Sequence, residues 1–153
     1  MASGTRSEFG AWRWVGWFSL VLALAGVGDW VLAWIPMRIG NPEWEFGTVA
    51  ATMSGLPLMA MGFAGLLASA TARGERWQVI VMGWVLLLFA LVILAALALF
   101  LLDVPLALQA VEGPAYVGIV KASIKTSLLG GLFSVAYLIA GITALRHSGR
   151  SGS

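Results

Sequence analysis

The sequence predicts an all-α polytopic membrane protein, an up-down bundle of four transmembrane helices with both termini in the cytoplasm. Three observations carry that expectation. Of the 153 residues, 60% are hydrophobic and only 10% are charged, and the mean hydropathy is +0.93. A soluble domain of this length needs far more polar surface, so lipid is the solvent for most of these side chains. Four stretches each reach the roughly 20 mainly apolar residues needed to cross the hydrocarbon of a bilayer. Lysine and arginine gather at alternate connections. The chain divides into an N-terminal segment 1–11, a transmembrane domain 12–146 and a polar tail 147–153.

Span 1 covers 12–35. Arg6 and Arg13 precede it and Ala23-Leu24-Ala25 mimics a signal-peptide cleavage site. The apolar run continues through Ile35, too long for a signal core, so an uncleaved span is expected. Span 2 covers 42–71 and opens at "NPEWEF". Asn41 suits the cap, because its side chain accepts from the first free backbone N–H groups. Pro42 suits the first helical position, where its missing N–H is not needed. Glu43 and Glu45 fall in the first turn, where carboxylates interact favourably with the helix dipole, and Trp44 anchors the turn at the interface. An acidic docking or cation site is the functional alternative for this stretch. Pro57 is expected to kink the helix, since it removes one backbone bond.

Span 3 covers 77–102 and contains no charge. Rich in Leu and Ala, it is expected to face mainly lipid. In "LDVPLALQAVEGPAY", Asp103 is expected to cap and Pro105 to open a short helical segment closed by Gly113-Pro114. Leu106, Ala110 and Val111 would lie against the headgroups, and with Glu112 this segment and the Asn41–Glu45 turn would form an acidic outer cap. Span 4 covers 117–145.

Orientation follows from Arg6, Arg13, Arg73, Arg76, Arg146 and Arg150, which lie at the termini and in the 2–3 connection. The positive-inside bias places those segments in the cytoplasm. Trp12, Trp14, Trp17 and Trp77 then sit near the inner interface, with Trp30, Trp34 and Trp44 near the outer one. A multi-pass protein of a bacterial inner membrane is the expected setting.

Besides Arg13 and the two glutamates that open span 2, three charges fall inside spans. Asp29 lies in "GVGDWVLAW", with Lys121 and Lys125 one turn apart on span 4. Lys125 is expected at a depth similar to Asp29. Three readings compete: an ion pair holding helices 1 and 4 together, lysines snorkelling to the headgroups, and a proton or ion relay. A relay needs a continuing polar path, and only hydroxyl residues lie below this level.

Small residues mark packing faces, because they let backbones approach closely. Span 2 carries Gly55, Gly62 and Gly65, and span 4 carries Ser123, Ser127, Gly130, Ser134 and Gly141. Met53, Met59 and Met61 read as adaptable packing.

"NPEWEFGT" followed by "GLPLMAMGFAGLL" resembles the start of a helix in the cyanobacterial HpsJ-like membrane proteins, a family tied by name to hormogonium polysaccharide secretion. The resemblance covers Asn41 to about Leu67. It implies an accessory membrane protein of an envelope assembly and supplies no catalytic residues.

Cysteine is absent, which removes disulfides and thiolate metal sites, and the single histidine, His147, lies in the tail. No catalytic residue, metal site or cofactor is expected, and the net charge of +2 does not suggest nucleic acid. The leading reading is a non-catalytic accessory or assembly subunit that packs against membrane lipid and other membrane subunits or further copies of itself. The alternative is a small oligomeric transporter or channel using Asp29 with Lys121 and Lys125, for which a polar cavity between helices 1, 2 and 4 is expected.

Overall fold

The computed structural model describes residues 4–38, 40–109 and 113–150. They form four helices: α1 (Gly4–Ala33), α2 (Pro42–Ala72), α3 (Arg76–Gln109) and α4 (Pro114–Arg150). All four are long and apolar enough to cross a membrane, and consecutive helices run antiparallel. The architecture is an all-α four-helix bundle.

Local chemistry explains the helix ends. Asn41, with extended backbone, accepts at its side chain from the Trp44 N–H at 3.2 Å. The Glu45 carboxylate reaches back to accept from the Gly40 N–H at 2.6 Å. One free donor of the first turn, and the Gly40 N–H just before the cap, are thereby satisfied. At the other end of α2, Gly74 adopts φ +68°, a conformation natural to glycine. It lets the Glu75 N–H bond the Ala70 carbonyl and the Gly74 N–H bond the Thr71 carbonyl, the double closure of a Schellman turn. Arg73 braces the turn through Glu75 at 2.9 Å and Gln78 at 2.8 Å.

The outer connection between α3 and α4 differs from expectation. Pro105 does not open a separate segment, because α3 runs without a break from Arg76 to Gln109 with Pro105 inside it. A proline in this last part of a helix removes one backbone bond and leaves the following N–H groups free to continue the ladder. Ala110, Val111 and Glu112 lie outside the described residues.

Packing organises the helices as two tight pairs, α1 on α2 and α3 on α4, joined through α2, which packs on α3 and more narrowly on α4. Among the described residues, α1 and α4 approach nowhere within 8 Å between α-carbons. A side chain added at Gly62 would meet the Ala23 α-carbon at 2.7 Å, and one added at Gly141 would meet the Gly83 carbonyl at 2.9 Å. Within each pair the backbones are therefore nearly in contact. The Ser69 hydroxyl bonds the Trp12 carbonyl and the Trp30 indole bonds the Thr52 carbonyl, so α1 is also tied to α2 near both ends.

The core lies between α2, α3 and α4, where Met53, Leu56, Met59, Ala90, Ile93 and Phe100 are fully buried. Helix α3 keeps most of its residues outside the core, yet one side of it turns inward. It buries a full stripe of Gly83, Leu86, Ala90, Ile93, Ala96 and Phe100. A helix that is apolar on every side carries no pattern to mark which side turns inward.

Replacing Gly62 by Leu is expected to force α1 off α2, at a cost of about 1–3 kcal/mol from overpacking. Ala64→Leu, on an exposed face of the same helix, is expected to leave stability unchanged. Thermal unfolding of both variants in mild detergent checks the pair, and equal melting temperatures would contradict this account of the contact.

Candidate functional site

Contacts across the bundle define layers. Ala23 meets Gly62, while Phe63 meets Phe89 at 5.1 Å and Tyr137 at 6.0 Å between ring centroids. Phe89 stands halfway along the uncharged run 77–102, so this layer marks the centre of the apolar belt. The end bearing Asn41 and Asp103 is the one that the charge bias leads us to expect outside, and it is called outer in that sense.

Asp29 sits over Gly55, with a carboxylate oxygen 3.3 Å from where a side chain there would begin. Counting along α1 from Ala23 at 1.5 Å per residue, it lies about 9 Å outward of the centre, within hydrocarbon depth. Its side chain is exposed on the surface of the bundle and makes no hydrogen bond or ion pair with the described residues.

Lys125 does not share that depth. Counting from Tyr137, it lies about 18 Å outward of the centre and Lys121 about 24 Å, at and beyond the edge of the hydrocarbon. Both are exposed. Side chains on a helix lean toward its N-terminus, which sends the lysines outward on α4 and Asp29 inward on α1. The expected Asp29–Lys125 pair is not formed, because the helices are not neighbours and the groups differ in depth by about 9 Å. For the same reason, among the described residues α1, α2 and α4 enclose no common polar cavity. The geometry of the lysines is that of snorkelling side chains.

The outer cap is assembled from α2 and α3. Asn41 caps, Glu45 closes on Gly40, and the Trp44 ring meets Trp34 edge-on at 5.9 Å. Glu45 also faces the Asp103 carboxyl from α3. Pro42 begins α2; the side chains of Pro42 and Glu43, and all of Glu112, are outside the described set.

The small-residue faces are used inside the bundle. Gly55, Gly62 and Gly65 receive Asp29, Ala23 and Ser19 of α1. Gly130 receives Met53 and Leu97, and Gly141 receives Gly83 and Leu87. Ser134 is buried with its hydroxyl bonded to the Gly131 carbonyl, and Ser123 bonds the Ile119 carbonyl. Ser127 is half-buried.

Two features escaped the sequence. One is the Glu45–Asp103 approach, which depends on how α2 and α3 are staggered. The other is Tyr137, 4% exposed in the central layer, whose hydroxyl has no partner among the described residues. A lone tyrosine amid an apolar span was the available signal. No group of three or more histidine, cysteine, aspartate or glutamate residues that could hold a metal occurs among the described residues.

Comparison with protein-family models, with curated proteins and with solved structures finds no match.

The chain contains no cysteine, so single-cysteine variants read depth directly. Lys121→Cys is expected to react rapidly with a membrane-impermeant maleimide added outside intact cells, and Asp29→Cys to stay unreacted. Equal reactivity would contradict the depth assignment.

Proposed function

We propose that this protein is a non-catalytic membrane subunit that docks a helix of another membrane protein along α1, in the inner membrane of a bacterium. One observation carries the reading: the Asp29 carboxyl, exposed at the edge of the α1–α2 contact on the most peripheral helix, has no hydrogen bond or ion pair among the described residues. A carboxyl group at this depth is expensive against lipid and normally faces protein. Beside it runs a seam of Trp14, Phe18, Val21, Ala25, Gly28 and Leu32, spaced alternately four and three residues apart. That spacing keeps one stripe of a helix against a straight partner. Trp14, Phe18, Val21, Ala25 and Leu32 are exposed, and Gly28 leaves open space at its centre.

The seam takes the place of the glycine faces as the surface offered to partners, because Gly55, Gly62, Gly65, Gly130 and Gly141 are packed between the chain's own helices. The resemblance of residues 41–67 to HpsJ-like proteins fits an accessory role in envelope assembly. The transporter alternative rested on Asp29 meeting Lys121 and Lys125, and the bundle keeps them on separate edges.

Native mass spectrometry of the protein extracted from its own membrane in mild detergent tests the proposal. A stoichiometric complex with another chain is expected, lost in Asp29→Leu at an unchanged melting temperature, since Asp29 makes no hydrogen bond or ion pair among the described residues. A chain that flies alone, or only with copies of itself, would refute the docking role.

A further inference from the structure

At the end of the bundle opposite the acidic cap, two arginines from different helices share one pocket of about 270 Å³. Arg13 stands on its α1 wall with Trp17 and Leu20, and Arg73 on its α2 wall with Leu66. Gln78 of α3 borders it as well. Arg13 precedes Ala23, and Arg73 follows Phe63, by ten positions. At 1.5 Å per residue both arginines lie about 15 Å from the central layer, at the edge of the hydrocarbon. Leu20 and Leu66 lie on the same side of that layer and only about 5 Å from it. The pocket is thus cationic at headgroup level and apolar where it runs into the membrane.

Gly16 lets the two helices form it. A side chain there would meet the Ser69 hydroxyl at 2.7 Å and begin 3.8 Å from Arg73 Nη2. With only hydrogen in that place, the α1 backbone comes up to Ser69 and the Arg73 guanidinium lies over it.

Charge selects the occupant. Arg73 donates to the Ser69 carbonyl at 3.2 Å and to the Gln78 side-chain oxygen at 2.8 Å, and pairs with Glu75 at 2.9 Å. Those bonds fix the guanidinium and leave two of its five N–H donors. Gln78 accepts at its oxygen, and its amide nitrogen makes no hydrogen bond among the described residues. Arg13 is exposed and has no hydrogen bond or ion pair among the described residues. Donors therefore come from three helices around one uncompensated positive charge. The carboxylate beside the pocket offers nothing to a cation: Glu75 Oε1 is held by Arg73, and Oε2 is buried. A headgroup that carries its own ammonium finds no counter-charge there.

A phosphate oxygen set suits this arrangement, since guanidinium groups bind it with paired, charge-assisted hydrogen bonds. Basic pockets between membrane helices at headgroup depth suit anionic lipid heads for that reason. A soluble phosphate would use the mouth alone and leave the walls of Trp17, Leu20 and Leu66 unfilled. An acyl chain fills them.

We propose that the Arg13–Arg73 pocket binds an anionic phospholipid of the adjacent leaflet, its phosphodiester between the two guanidinium groups and one acyl chain between Leu20 and Leu66. The pocket lies about a third of the way round α1 from the seam of Trp14, Phe18 and Val21, so the lipid does not rest on the docking role.

Native mass spectrometry of the intact protein in mild detergent tests the site, with palmitoyl-oleoyl phosphatidylglycerol and phosphatidylcholine as probes. The first phosphatidylglycerol is expected to bind about tenfold more tightly than phosphatidylcholine. Glycerol phosphate at the same concentration should not displace it. Arg13→Gln removes a donor that the bundle does not use, so its melting temperature should hold. Its affinity for the first phosphatidylglycerol should fall about tenfold for one lost charge-assisted hydrogen bond. Arg76→Gln removes the same charge at the same end of the bundle, outside the pocket, and should leave that affinity unchanged. Equal losses in the two variants would show attraction to interfacial charge in general and overturn the proposal. Equal affinity for the two lipids would overturn it too, and that comparison needs no substitution, so it decides even if Arg13→Gln fails to fold. Displacement by glycerol phosphate would assign the pocket to a soluble phosphate and overturn the lipid.

Discussion

Near-contact between helix backbones is the constraint on which the rest of this structure depends. Between apolar helices in lipid there is little hydrophobic gain in association, since lipid tails are as apolar as leucine. Attraction must come from close packing, and only small residues allow it. Gly62 against Ala23 brings α1 and α2 together, and Gly141 against Gly83 does the same for α3 and α4. The polar ties, Ser69 to Trp12 and Trp30 to Thr52, are directed at backbone carbonyls and hold α1 in register.

From those two contacts the arrangement follows. The pairs meet through α2 and α3, where Leu56, Phe63, Ile93 and Phe100 interleave. The rings of Trp30, Phe89, Phe63, Tyr137 and Phe133 form a chain of contacts across the middle of the bundle. This leaves α1 and α4 at opposite edges. Asp29 is then held on one edge and the two lysines on the other, so their opposite charges contribute nothing to each other within the chain. The same arrangement leaves a slot between α2 and α4, where alanines of both helices face each other.

Helix α2 thus divides three ways. Its glycines receive α1, its large apolar residues enter the core, and its alanines line the lipid-facing slot. Asp29, exposed, and the Tyr137 hydroxyl, buried, lie on different sides of this helix, and neither has a hydrogen-bond partner among the described residues. The acidic outer end, where Glu45 faces Asp103, belongs to neither and is built largely from capping interactions.

The sequence by itself determined the number of helices, their approximate ends and their antiparallel order. Those depend on local properties: an apolar run long enough to cross a bilayer, Asn41-Pro42 at a helix start, Gly74 at a helix end. Which residues would be close-packed was also legible, because glycine and serine in a span have few other uses. What they would pack against was not. Gly62 could receive another protein as well as Ala23, and α3, apolar all round, offered no sign that Leu86, Ala90 and Ile93 face inward. Asp29 was visible as a costly residue, yet its separation from Lys125 came from helix order and stagger, which arise from contacts between segments far apart in the chain. Tyr137 without a partner is likewise a property of the assembled bundle. Only the tertiary structure decided which small residues are spent internally and which polar groups are left facing outward, because a helix surface in lipid takes its role from the neighbour it meets.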